Sequence, residues 1–89
     1  MLFKEHIKLA RTYLAMHQEE LADLADIGTT TLIGIEKGSG EITSRKLTEK
    51  SIRAVFEERG IVFKTTDKGF PYIEYDPDKD IIGYLKNKK

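Results

Sequence analysis

Two histidines, two adjacent carboxylate pairs and three consecutive threonines are the side chains here with chemistry to offer. His6 and His17 each lack a second histidine four residues on, so neither opens the paired ligand face of a helical metal site. Both read as surface imidazoles. Glu19-Glu20 and Glu57-Glu58 are sequence neighbours, and neighbours on a helix point about 100 degrees apart, too far to share a proton as an acid–base couple. Cysteine is absent, which removes thiol nucleophiles, thiolate metal sites and disulfides. No catalytic constellation remains, so neither an enzyme nor a cofactor is expected. Thr29, Thr30 and Thr31 differ in kind: a hydroxyl donates or accepts and the methyl packs on apolar groups, which is the chemistry of recognition.

The elements that position those threonines follow from periodicity. Leu21, Leu24 and Ala25 fall three and four apart, and Leu32 and Ile35 resume the spacing after a break at Asp26-Ile27-Gly28. The segment His17 to Gly38 therefore reads as two short helices joined by a tight turn, each burying one face. Glu19 and Glu20 lie in the first turn of the earlier helix, where carboxylates meet the positive end of its dipole. Gly28 and the threonines suit the start of the later helix, and Gly38 ends it. Of the glycines in Gly38-Ser39-Gly40, one suits the left-handed conformation that terminates many helices.

A preceding helix spans about Lys4 to Met16, with Ile7, Ala10, Arg11 and Leu14 on one side. A fourth runs from about Ser44 to Arg59, turning Leu47, Ile52, Val55 and Phe56 inward and stopping at Gly60. Beyond it the period shortens toward 2 in IVFKTT and FPYIEY, separated by Asp67-Lys68-Gly69, which predicts a β-hairpin. Pro71 lacks an amide donor and so marks an edge strand or an unpaired strand start. Asp76-Pro77-Asp78 resembles a cap with proline in the first turn of a short final helix lined by Ile81, Ile82 and Leu85. The fold class expected is α+β, mainly α: four helices, then a C-terminal hairpin and that final helix. Residues 1–60 form the helical part; residues 61–89 complete its core or a dimer interface within the same single domain.

Eighty-nine residues suit one domain, and 39% apolar with 34% charged residues place the chain among ordinary globular sequences. No run approaches the roughly 18 apolar residues of a spanning helix, and MLFKEHIKLA is too polar for a secretion signal, so no membrane partner and a cytoplasmic location are expected. Fifteen basic residues balance fifteen acidic ones. The bulk charge thus carries no signal for nucleic acid, and a positive patch must be made by folding. Lys86, Lys88 and Lys89 form a small basic end of the kind that is usually solvated.

From Ile7 to Gly38 the chain resembles the phage repressor and Cro-like (Xre-type) helix-turn-helix regulators. The resemblance rests on Gln18-Glu19-Glu20-Leu21-Ala22 opening the second helix, Ala25 before the turn, Ile27, then Leu32, Ile35 and Glu36-Lys37-Gly38. The continuation through Ile52, Arg53 and Phe56 to Gly60-Ile61-Val62-Phe63 is similar to a subgroup whose last helix runs into a short strand. The resemblance implies a transcriptional regulator, usually a repressor, that binds double-stranded DNA as a homodimer with its third helix in the major groove. It places Thr29, Thr30, Thr31, Ile33 and Gly34 on that helix's exposed side, with Thr29 and Thr30 as base readers. Gln18 takes a phosphate-positioning role, Lys37 and Lys46 add charge-assisted phosphate contacts, and Ser39 adds a neutral one. Arg11 and Glu36 occupy positions that pair across the first and third helices.

Threonine lacks the bidentate grip of arginine on guanine, so readout is expected to lean on DNA shape, apolar contact from Ile33 and close backbone approach at Gly34. The sequence departs from the family pattern at Asp26, where glycine is common, at His17, where serine or threonine usually caps, and at Ile33-Gly34, often a polar or basic pair. Tyr72 and Tyr75, with Phe63 and Phe70, are expected to pack on a helix or across a dimer rather than on single-stranded bases. The alternative function is a protein-interaction module, such as an antitoxin or anti-regulator, holding a protein partner through the C-terminal segment.

Overall fold

The structure, a computed structural model, describes residues 2–38 and 46–83. Helix α1 spans Lys4–Leu14, α2 Gln18–Leu24, α3 Thr29–Lys37 and α4 Lys46–Glu57; strands β1, Arg59–Thr65, and β2, Pro71–Asp80, follow. Residues 81–83 are again helical. The result is a small α+β fold, mainly helical, with one two-stranded antiparallel sheet.

Two left-handed residues shape the helical part. Ala15, at φ 53°, stops α1 two residues earlier than expected: Met16 N–H reaches back to the Arg11 carbonyl and Ala15 N–H to that of Thr12. Asp26, at φ 56°, repeats the pattern after α2, with Ile27 N–H on the Ala22 carbonyl and Asp26 N–H on that of Asp23. Both are Schellman closures, in which a single left-handed residue satisfies otherwise orphaned carbonyls. Aspartate tolerates that conformation better than most side chains, so the turn survives without glycine. Gly38 closes α3 with extended backbone, φ −63° and ψ 165°, and not in the left-handed form. Gly40 lies outside the described residues.

The core joins helices to hairpin. Ile7 and Ala10 of α1, Leu21 and Ala22 of α2, Leu32 of α3, and Ile52, Val55 and Phe56 of α4 close around Leu2, Met16, Ala25 and Ile61. Phe63 and Ile73 are register partners and pack against the same cluster, as do Leu14, Ile27 and Ile35. Three expected burial assignments are corrected. Leu47 is 81% exposed, Leu24 is also on the surface, and His6, expected outside, is fully buried.

Gly60 does not act as a bare helix stop. It lies within β1 at φ +83°, where the register slips between Arg59 and Ile61, and a Cβ there would come within 2.7 Å of the Asp76 carbonyl. Only glycine fits such a bulge against the opposite strand. Arg59 has left the helix, yet its Nη1 donates to the Val55 carbonyl at 2.8 Å and caps the end of α4. Pro71 is the first residue of β2, as its missing amide requires. The stretch 76–78 belongs to β2, so the expected helix cap there is displaced. Asp80 takes that role, accepting the Gly83 N–H at 2.6 Å, whereas Asp76 accepts from Asp78 N–H in a local turn. Leu85 and the lysines at 86, 88 and 89 lie outside the described residues.

Candidate nucleic-acid interface

Helix α3 is presented by the α2–α3 turn. Extended Gly28, at φ −70° and ψ 144°, leads into Thr29, and its carbonyl accepts the Leu32 N–H at 3.1 Å. Leu32 is fully buried, Ile35 half-buried against the core, and Glu36 only 2% exposed. The opposite side therefore faces out: Thr30, Gly34 and Lys37 are exposed, while Thr29, Thr31 and Ile33 are half-buried. Residues four apart stack along a helix, so Thr29 and Ile33 form one outward row and Thr30 and Gly34 the next.

Buried Glu36 fixes how α3 sits. Arg11 grips it from α1 in a bidentate pair, Nε to Oε2 and Nη2 to Oε1, both at 2.8 Å. The remaining Arg11 Nη1 donates to the Met16 carbonyl at 3.1 Å, and Gln18 of α2 donates its amide to Glu36 Oε1 at 3.2 Å. One carboxylate thus ties α1, its connection to α2, α2 itself and α3. The Arg11–Glu36 pair expected from sequence is present. Gln18 in this network was not foreseen, because an amide at a helix start gives no sign that it turns inward.

An open cleft of about 520 Å³ runs between α2 and α3, lined by His17, Gln18, Glu19, Glu20, Thr29 and Ile33. It brings together three of the expected site residues: Gln18, Thr29 and Ile33. Thr30, Thr31, Gly34 and Lys37 continue along α3 beside it, and exposed Lys46 begins α4. Ser39 lies outside the described residues. Glu19 and Glu20 stand exposed on the cleft rim, so this surface carries acidic as well as basic groups.

The hairpin aromatics divide. Phe63 meets Phe56 of α4 edge-on at 6.0 Å and Tyr75 lies 5.5 Å from Tyr13 of α1, whereas Phe70 is 66% exposed and Tyr72 is exposed too. No described helix is long and apolar enough to cross a membrane. No protein-family model matches the chain, and no curated protein matches it significantly.

Proposed function

We propose that the chain is a helix-turn-helix regulator of the phage repressor type that binds duplex DNA sequence-specifically, as a homodimer, and represses transcription. The observation that carries this is the outward double row Thr29–Ile33 and Thr30–Gly34 on a helix whose inner face is locked by the Arg11–Glu36–Gln18 network. A helix held rigidly at a fixed angle enters a major groove about 12 Å wide. Thr29 and Thr30 then meet base edges, Ile33 packs on thymine methyls, and Gly34 lets the groove approach the helix backbone.

Phosphate contacts come from Lys37, Lys46 and the start of α2 at Gln18, whose second amide hydrogen is left after the bond to Glu36. Pairing two such units places the α3 helices about 34 Å apart, one DNA turn, and doubles the contacts that a neutral chain makes. Selection of binding sites from random duplexes, followed by affinity against salt, tests the proposal. A two-fold-related consensus with salt-dependent binding supports it; sequence-indifferent or undetectable binding defeats it.

A second reading is a module that holds a protein partner. The exposed Phe70 and Ile81 of the C-terminal segment and the acidic Glu19–Glu20 rim favour it. Glu19→Gln with Glu20→Gln separates the two: removing like charge strengthens DNA binding and weakens a basic protein ligand.

A further inference from the structure

His6 is the third residue of α1 and is 1% exposed. Its Nδ1 accepts the Phe3 backbone N–H at 3.0 Å, the half of a capping box in which glutamate or glutamine ordinarily reaches back; Phe3, at the N-cap, has no side-chain acceptor for the other half. Because Nδ1 accepts, the ring hydrogen sits on Nε2, which donates to the Lys64 carbonyl of β1 at 2.7 Å. One neutral ring therefore joins three parts: the N-terminal strap whose Leu2 is fully buried, helix α1, and the hairpin. Phe3 stacks on the ring at 5.7 Å between centroids and Phe63 meets its edge at 5.3 Å, giving it apolar walls.

We infer that His6 is an acid-sensitive latch: protonating Nδ1 turns the acceptor of the Phe3 amide into a second donor and releases the Leu2–Phe3 strap from α1, while Nε2–H stays on the Lys64 carbonyl. A glutamine at the same place makes the capping bond at every pH, so the imidazole makes this junction conditional. The surrounding charges favour release. Arg53 of α4 is positive, Glu5 of α1 exerts the weakest opposing pull, and β1 offers the Lys64 carbonyl.

Burial, the largest cause, together with the Arg53 charge, holds the imidazole pKa below its ordinary value against the Lys64 carbonyl. A base with a depressed folded pKa binds protons more readily once opened. Its contribution to stability is complete above about pH 6.5 and declines as pH falls from there toward the folded value.

Nitrogen-15 NMR of the full chain tests the latch through the His6 ring nitrogens and hydrogen exchange at the Phe3 amide. Above about pH 7 the Nε2–H tautomer is expected. From about pH 7 to about pH 5, Phe3 protection, corrected for intrinsic exchange, should fall by up to roughly 20-fold. Core amides such as that of Leu32, which open only with the whole fold, should stay more strongly protected than Phe3 throughout, because local release exposes Phe3 first. His6→Gln retains a capping acceptor and does not titrate, so its Phe3 protection should stay flat. Equal losses in both proteins overturn the latch. Should His6→Gln fail to fold, the wild type decides: an Nδ1–H tautomer at neutral pH, or His6 protonation without change at Phe3, overturns it equally.

Discussion

Gly34 stands inside α3, four residues after Thr30, and a Cβ built on it meets no heavy atom within 4 Å. Nothing within the described fold calls for glycine there. In an exposed helix interior glycine costs about 1 kcal/mol relative to alanine, through backbone entropy in the unfolded chain. Gly34→Ala should therefore stabilise the free protein by about that much, a rise of about 4–8 °C in Tm for a domain of this size. Binding should move the other way. If the DNA groove approaches the helix backbone at Gly34, the added methyl overpacks the contact at about 1–3 kcal/mol, or roughly 5- to 150-fold in affinity. Thermal unfolding by circular dichroism reads the first effect, and fluorescence anisotropy with a selected duplex reads the second. A stabilised variant that binds as tightly as the parent refutes close approach at Gly34, and a destabilised one refutes the open space around it.

Arg11→Ala should cost about 3–5 kcal/mol in denaturant unfolding, because it leaves the Glu36 carboxylate buried with only Gln18 as partner; weaker DNA binding with unchanged stability contradicts this structural role. Thr30→Ala should relax base preference at one position of the selected site by about 1 kcal/mol, whereas Lys37→Ala should weaken all sequences alike and reduce the salt slope by about 1. Identical profiles for the two variants would show that neither has its assigned role. The Tyr75 hydroxyl donates to Asp80 at 2.7 Å, and this bond, with the Gly83 amide, holds the Asp80 carboxyl below the ordinary range. The stabilisation is present above about pH 4 and lost as pH falls through the depressed value, so Tyr75→Phe should flatten the acid limb of a stability curve. An unchanged acid limb in Tyr75→Phe counts against that bond.

Much of the framework was legible because periodicity and turn chemistry speak directly. Leu32 and Ile35 against Thr30 and Gly34 gave the inner and outer sides of α3, and Asp67-Lys68-Gly69 gave the hairpin. Leu47 was misread although spacing alone places it about 140 degrees round the helix from Ile52 and about 180 degrees from Phe56. Asp76-Pro77-Asp78 has the composition of a helix start, but the same residues serve a local turn inside β2, and nothing near Asp80 singles it out as the cap. His6 and Gln18 were beyond reach for another reason. Their partners, Lys64 and Glu36, are distant in sequence and polar side chains carry no periodicity that betrays such pairing.

Titration of nitrogen-15-labelled chain with a selected duplex is the most direct measurement on the central claim. The account predicts the largest amide shifts at Thr29, Thr30, Ile33 and Gly34, with smaller ones at Gln18 and Lys37. Shifts confined to the hairpin, with α3 unmoved, would contradict it.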